Sequence, residues 1–551
     1  MSQSVMPAPA TVIPWWKGAV IYQIYPRSFA DSNGDGIGDL AGITAHLDYV
    51  ASLGVDAIWL SPFFKSPMKD FGYDVEDYCA VDPMFGTIAD FEALVAKAHR
   101  LGLKVMIDQV LSHTSNQHPW FQESCQNRDN AKADYYVWAD PKPDGTPPNN
   151  WLSIFGGPAW AWEARRKQYY LHNFLTEQPD LNFHNSQVRQ ALYDSIRFWM
   201  ARGVDGFRLD TVNYFVHDAL LRDNPPAAHK GALDVPDANP YGWQAHVYDK
   251  SRPENLEILK ELRAVFNEGT DIAAVGEVGA GNEANALIAQ YTDGDDRMHL
   301  CYGFELLGGE RCDPAAIRKA VEGFEREGKG WICWSFSNHD VMRVVTRWGG
   351  EADADAFAPL ISAMMLCLRG SQCLYQGEEL ALGEADVPYE ALQDPYGKAF
   401  WPQFKGRDGC RTPMPWTNSA GAGFSTSQTP WLPIPESHLT RAVSVQEKKP
   451  GSSLHRFRQI LRWRKAHPVL LTGAIRFLPA PETLLAFVRE DETGSLLCVF
   501  NPGREMAKFD VRQWPRLHIL EGHGFPSALV DGFAEIPGYS ALFGAILPTS
   551  A

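Results

Sequence analysis

The chain is short of positive charge and of long apolar runs. Sixty-seven acidic residues face 50 lysines and arginines, for a net charge of −17. A surface of that sign makes nucleic acid and anionic membranes poor partners and is compatible with a neutral substrate. No run approaches the roughly 20 apolar residues of a helical membrane span, so none is expected. Met1 to Pro14 has no basic start followed by an apolar stretch, so no signal peptide is expected. The nine cysteines are odd in number and none forms a Cys-x-x-Cys pair. Free thiols in a reducing compartment fit best, which makes the cytoplasm the expected location. The His-x-x-x-His and Cys/His spacings of transition-metal sites are also missing.

What the chain has is length, aromatics and a recurring unit. Its 551 residues are enough for a large barrel with accessory domains. Eighteen Trp, 19 Tyr and 29 Phe suit both core packing and stacking on sugar rings. In the recurring unit a helical stretch ends near a glycine and a short apolar strand follows, as in Leu53–Leu60, Leu101–Asp108 and Gly203–Asp210. Glycine ends helices at C′, and continuously apolar strands are those buried on both faces of a parallel sheet. Ala19–Tyr25, Ile272–Val278, Met298–Phe304, Trp331–Asn338 and Gln372–Gln376 complete eight candidate strands. Eight βα units predict an α/β fold, a closed (β/α)8 TIM barrel.

The barrel is expected over residues 1–108 and 183–474. The gap 109–182, rich in Trp, Asn, Pro and Gly, reads as a domain inserted after strand three, with Val188–Ala201 as the barrel helix that follows it. A Gly/Pro-rich excursion, 381–433, follows strand eight. Residues 475–551 turn to short β-runs, with Thr483–Arg489 and Ser495–Phe500 as a hairpin, and predict a C-terminal antiparallel β-sandwich.

In such barrels the active site lies at the C-terminal strand ends. Strand three ends in Asp108 and leads to Ser112-His113. Strand four ends in Gly206-Phe207-Arg208-Leu209-Asp210-Thr211, strand five in Gly276-Glu277, and strand seven in Ser337-Asn338-His339-Asp340. Arg208 and Asp210 share a strand face, so the guanidinium is expected to lower the pKa of Asp210 and keep it ionised. The same pair also suits a structural salt bridge. Glu277 has no cation beside it in sequence, so burial and the Asp210 charge are expected to raise its pKa. One ionised and one protonated carboxyl, with a third acid nearby, match glycoside hydrolysis. His113 and His339 suit hydrogen bonds to ring hydroxyls.

Asp108–His113, Gly206–Asp210, Gly276–Glu277 and Ser337–Asp340 resemble, in order and spacing, the four short motifs of the α-amylase family, glycoside hydrolase family 13. The likeness runs from Trp15 to beyond Trp416. It implies Asp210 as nucleophile, Glu277 as acid/base and Asp340 as transition-state stabiliser, with Arg208, His113 and His339 on the sugar. It implies retention through a covalent glucosyl-enzyme, and hence an Asp210–Glu277 carboxylate separation of about 5–5.5 Å. Ser112 departs from the family's asparagine at that place.

Gln178-Pro179-Asp180-Leu181-Asn182 resembles the segment of oligo-1,6-glucosidase and α-glucosidase relatives, and Asp70-Phe71-Gly72-Tyr73 resembles their exo-acting subsite. By that resemblance Asp70 and Arg407 hold the non-reducing glucose at its 4-hydroxyl and Tyr73 stacks on its ring. A charged pair closing the pocket leaves room for one sugar. Phe155, Phe174 and Phe304 are candidate walls or core residues. Threonine at 211 goes with α-1,4 substrates in relatives and valine with α-1,6. The expectation is an exo-acting α-glucosidase for short, maltose-like α-glucosides, with transglucosylation where a sugar or alcohol replaces water. An oligo-1,6-glucosidase, a sucrose isomerase and a trehalose synthase are the alternatives. Non-catalytic transporter subunits carry a membrane span and lack the acids.

Asp31-Ser32-Asn33-Gly34-Asp35-Gly36-Ile37-Gly38-Asp39 places oxygen-bearing side chains at alternate positions. It starts like an EF-hand loop but lacks the glutamate at position 12. The resemblance implies a structural Ca2+ or Mg2+ held by Asp31, Asn33, Asp35, the Ile37 carbonyl and Asp39. No organic cofactor is expected.

Overall fold

The computed structural model describes residues 13–228 and 235–547. Residues 1–12, most of the stretch read for a signal peptide, lie outside the described residues. Eight parallel strands form the central sheet: β1 Val20–Ile24, β2 Ala57–Leu60, β3 Lys104–Gln109, β4 Gly206–Leu209, β5 Ala273–Glu277, β6 Leu300–Tyr302, β7 Cys333–Trp334 and β8 Ser371–Tyr375. They are ordered β6-β5-β4-β3-β2-β1-β8-β7. A parallel bridge between Cys301 and Ile332 brings β6 to β7 and closes the ring into a TIM barrel.

Around the strands lie α1 Leu40–Leu53, α2 Ile88–Arg100, α3 Ser186–Met200, α4 Asn255–Phe266, α5 Ala284–Thr292, α6 Pro314–Arg326, α7 Ala354–Cys367 and α8 Ser453–Lys465. Their apolar stripes face the strands. In α3 the buried set is Val188, Leu192, Tyr193, Ser195, Ile196 and Trp199, at helical spacing. Gly54 ends α1 with φ 93°, a left-handed conformation that glycine adopts without a Cβ clash. The barrel interior is filled by side chains, among them Ile21, Ala57, Met106, Val275, Leu300 and Cys373. It is a packed core, and only its rim is left for chemistry.

Strand register places the rim residues. Asp108 on β3 pairs with Arg208 on β4, and Glu277 on β5 pairs with Tyr302 on β6. Strand seven is shorter than its apolar run, Trp331–Asn338, predicts. After Trp334 the backbone leaves the ladder: the Ser335 hydroxyl donates to the Ser337 carbonyl at 2.6 Å, and the Ser337 hydroxyl accepts from the Val344 amide at 2.9 Å.

Between β3 and α3 a small three-stranded antiparallel sheet, Trp138–Ala139, Gln168–Leu171 and Trp160–Glu163, covers an apolar cluster containing Val137, Trp151, Trp160 and Leu171. A second excursion, which the sequence reading does not single out, lies between β4 and α4. It packs on the insertion, with Trp151 Nε1 donating to the Arg222 carbonyl at 2.9 Å and Asn150 Nδ2 to that of Asn224 at 2.8 Å. From Ala474 onward the chain forms a five-stranded and a three-stranded antiparallel sheet. Leu497, Val499, Phe509, Ala534, Ile536 and Leu542 fill the space between them. All nine cysteines are free thiols, and among the described residues no helix is long and apolar enough to cross a membrane.

Candidate active site

Arg208 is the centre of the rim. Its side chain is fully buried, and Nη1 lies 2.9 Å from Asp108 Oδ1 and 2.6 Å from Asp210 Oδ1. Nη2 lies 2.7 Å from Glu277 Oε2. Glu277, which has no cation near it in sequence, therefore has one in space. Tyr302 accepts from Arg208 Nη2 at 2.7 Å and donates to Glu277 Oε1 at 3.0 Å. The Thr211 amide donates to Glu277 Oε2 at 3.1 Å. One guanidinium thus holds three carboxyls on its two terminal nitrogens, Asp108 and Asp210 on Nη1 and Glu277 on Nη2.

Their protonation corrects the sequence reading. Arg208 was expected to keep Asp210 low. Burial instead pushes Asp210 up to about 7 against the pull of Arg208, with the Asp108 and Asp340 charges adding to the rise. Burial pushes Glu277 up to about 7 as well, again against Arg208 and with the Asp210 and Asp340 charges adding. One cation cannot hold three neighbouring buried carboxyls ionised. Burial thus favours the protonated form of both Asp210 and Glu277, and Arg208 opposes it at both. The reliably ionised acid is Asp340. Burial opposes its charge, but the Arg407 and Arg411 guanidiniums hold it well below the carboxylate range. Arg411 Nη2 is 2.8 Å and Arg407 Nη1 3.1 Å from its Oδ1.

The two histidines are neutral. Burial holds His113 at about 4 and His339 well below its ordinary value. His113 Nε2 meets the Tyr73 carbonyl at 3.0 Å and its Nδ1 the Ser112 hydroxyl at 2.8 Å. His339 stacks on the Tyr73 ring, 5.4 Å between centroids with planes 7° apart, and its Nδ1 accepts from Gln23 Nε2 at 2.7 Å. Arg407 joins three loops. Nη2 reaches Asp70 at 2.9 Å, from the loop after β2, and Asp394 at 2.8 Å, from the excursion after β8. Nη1 reaches Asp340, after β7. This grouping ties the loops after β2, β7 and β8 together at the rim.

Residues 23–473 match the family described as alpha amylase, catalytic domain. The chain belongs to the α-amylase family of glycoside hydrolases. It is 58% identical to a protein of Rhizobium meliloti (strain 1021) named "Probable alpha-glucosidase", over 96% of both chains. It is 36% identical to an "Oligo-1,6-glucosidase" of Heyndrickxia coagulans, over 90% of this chain and 93% of that one. Among solved structures, the alpha-glucosyl transfer enzyme XgtA superposes with a TM-score of 0.94 at 53% identity, covering 97% of this chain and 100% of XgtA. The trehalulose synthase MutB from Pseudomonas mesoacidophila MX-45 gives 0.88 at 31% identity, with the same coverage.

Of the aromatic candidates, Phe155 and Phe174 lie near Arg407 and Phe304 does not. Phe155 lies under the Arg407 guanidinium at 5.3 Å, edge-on to Tyr396 at 5.0 Å and to Phe174 at 6.1 Å. Phe174 is 5.0 Å from His113. Phe304 stands apart, near Tyr302 at 6.4 Å, and packs against the barrel's interior cluster. Several partners have little sequence signal. Gln178 donates to Asp70 Oδ2 at 3.1 Å and comes within 3.2 Å of His113 Nε2, and it lies in a segment already singled out. Tyr302, Asp394 and Arg411 act only through their place in the fold. Asn239, on the excursion after β4, donates to the Ile154 carbonyl at 2.8 Å and to the Tyr396 hydroxyl at 3.0 Å. It so ties three segments of the pocket wall together.

The Asp31–Asp39 loop lies before α1, away from this group. Asp31 accepts from the amides of Asn33 at 3.0 Å, Gly34 at 2.7 Å and Gly36 at 2.8 Å, and from the Ser425 hydroxyl. Asp39 caps α1 through the Gly42 amide at 2.6 Å and holds the Ser32 amide at 2.8 Å. Asp35 Oδ2 takes only the Asn33 side-chain amide, at 3.0 Å. The all-oxygen donor set suits a hard cation in kind. Among the described residues, however, no three His, Cys, Asp or Glu side chains converge as a metal site.

Proposed function

We propose that this α-glucosidase-type glycoside hydrolase works with retention of configuration, with Asp210 as nucleophile, Glu277 as acid/base and Asp340 as stabiliser of the oxocarbenium-like transition state. The observation that carries the reading is the geometry around Arg208, whose Nη1 holds Asp210 at 2.6 Å and whose Nη2 holds Glu277 at 2.7 Å. With the proton on Glu277, its carboxylic acid protonates the glycosidic oxygen while an Asp210 oxygen attacks the anomeric carbon. The C–O bond to the aglycone breaks and the aglycone leaves as an alcohol. Glu277, now a carboxylate, takes a proton from water, which attacks the anomeric carbon from the vacated side. The ester breaks, Asp210 regains its charge and α-glucose is released. Asp340, held ionised by its two arginines, faces the positive charge that develops at the anomeric centre.

The Asp70–Arg407 closure supports action on one terminal glucose, and Thr211 beside the nucleophile supports a preference for maltose-like α-1,4 linkages. The likeness to a named glucosyl-transfer enzyme supports a second reading, in which an acceptor hydroxyl replaces water in the second step. Incubation with maltose, isomaltose and sucrose, with products followed by 1H NMR, tests all three points. The reading expects α-glucose as the first-formed anomer, with transfer products rising with acceptor concentration. First-formed β-glucose would overturn the retaining assignment, and rearranged disaccharide without free glucose would overturn hydrolysis. A structural Ca2+ or Mg2+ in the 31–39 loop is a separate proposal, supported by its oxygen donors. A lower unfolding temperature in EDTA, restored by either cation, is expected, and identical melts would refute it.

A further inference from the structure

Thr211 is held at three points. It is a β-branched residue with φ 40°, a conformation that costs energy and persists only when its surroundings fix it. Its amide is fixed on Glu277. Its hydroxyl lies 3.0 Å from Ser112 Oγ and 3.3 Å from Asp210 Oδ2. Ser112, 2% exposed, meets His113 Nδ1 on its other side at 2.8 Å.

Counting hydrogens along this row decides the donors. His113 Nε2 faces the Tyr73 carbonyl, which accepts and cannot donate, so the ring proton sits on Nε2. The Gln178 amide nitrogen gives one proton to Asp70 at 3.1 Å, and its second, toward Nε2 at 3.2 Å, finds no lone pair there while Nε2 bonds the carbonyl. His113 Nδ1 is then a bare lone pair, and the one Ser112 proton is spent on it. Ser112 Oγ can only accept from Thr211. The single Thr211 proton therefore has two acceptors, Ser112 Oγ and Asp210 Oδ2, and the nearer one is Ser112.

We propose that Ser112 is a positioning residue that gives the Thr211 hydroxyl a second acceptor and so sets how firmly that hydroxyl holds the Asp210 carboxylate. The inference rests on the reading of Asp210 as nucleophile. While Asp210 is charged, the hydroxyl divides between the two oxygens. When Asp210 forms its ester the charge is gone, and the hydroxyl turns to Ser112. When the ester breaks it turns back. Without Ser112 the Thr211 proton has Asp210 alone, which stabilises the carboxylate and makes it a poorer nucleophile.

The test is a double-mutant cycle of Ser112→Ala and Thr211→Val, with kcat/KM for p-nitrophenyl α-glucoside measured against pH. Ser112→Ala is expected to move the acid limb down by about 0.5–1 unit, a 3- to 10-fold change in the ionisation constant. In the Thr211→Val background it is expected to leave the acid limb in place. The orphaned His113 Nδ1 affects both backgrounds alike and cancels in the cycle. Equal shifts in both backgrounds, or none with Thr211 present, would overturn the proposal. If Ser112→Ala does not fold, as judged by circular dichroism, the near-isosteric Ser112→Cys replaces it, with a smaller shift in the same direction expected and no shift counting against the proposal. Asp210→Asn separates the two readings. Retained activity there overturns the nucleophile assignment and this inference with it, whereas an inactive Asp210→Asn with an additive cycle overturns the Ser112 role alone.

Discussion

Replacing Arg208 by methionine keeps an apolar stem of similar length and removes the one cation shared by Asp108, Asp210 and Glu277. The N···O contacts of 2.6–2.9 Å imply charge centres about 4 Å apart, where a pair in a protein-like dielectric is worth about 4 kcal/mol. That is about three pKa units. Because three carboxyls share the cation, about two units for Asp210 is the expected rise, from about 7 to about 9. The ionised fraction of Asp210, the proposed nucleophile, at pH 7 then falls from about one half to about one hundredth, so kcat/KM for p-nitrophenyl α-glucoside is expected to fall about 50-fold. The loss should shrink as pH rises toward 9, since the acid limb moves up with Asp210. The stability sign follows from the same groups. Carboxyls raised above their unfolded value contribute stability that is complete below about pH 4 and is lost as pH rises through the folded value. The variant's unfolding temperature should therefore keep a constant offset from the parent's up to about pH 5 and change relative to it only between about pH 6 and 9, where the two proteins differ in bound protons. A loss of activity uniform from pH 6 to 9, or an acid limb left in place, would refute the argument.

Thr211→Val should raise the isomaltose-to-maltose ratio of kcat/KM by about tenfold, the scale at which one pocket side chain alters selectivity, and an unchanged ratio would remove Thr211 from the linkage argument. Asp180, buried in the inserted domain, is pushed up to about 7 by that burial, so its contribution to stability is present below about pH 4 and lost as pH rises through 7. Asp180→Asn should therefore flatten the fall in unfolding temperature between pH 5 and 8 measured by calorimetry, and parallel curves would show that Asp180 does not set it. Asn239→Ala leaves the Ile154 carbonyl and the Tyr396 hydroxyl without their donor, a cost of about 1–3 kcal/mol, and should raise KM more than it lowers kcat. Equal effects on both would argue against a wall-bracing role.

The barrel is legible because its strands are buried on both faces. Continuous apolar runs next to helix-ending glycines mark Ala57–Leu60, Lys104–Gln109 and Gly206–Leu209, and parallel packing fixes which end carries the polar residues. Asp108, Arg208 and Glu277 stand out for that reason. Protonation is less legible, since Arg208 beside Asp210 in sequence says nothing about the two further carboxyls that share it in space. Cys333–Trp334 shows a related limit: serine side chains after Trp334 bond to the backbone and take the chain off the ladder, although the run looks strand-like. Asp394, Arg411 and Asn239 carry no local pattern. Their roles arise from long-range contacts between loops that the strand order alone brings together. The excursion after Gly206–Leu209 is hidden because its bonds are made to the inserted domain, from Trp151 to Arg222 and from Asn150 to Asn224.

Arg407 fastens loops that follow three different strands, through Asp70, Asp340 and Asp394. The pocket proposed above, stopped at that end, would have one doorway for both products to use in turn. The aglycone, nearest the opening, would depart before water or an acceptor arrives, and the glucose at the blind end would depart last. Glucose should then compete directly with substrate for the free enzyme, while the released aglycone should bind back to the glucosyl-enzyme and return as acceptor.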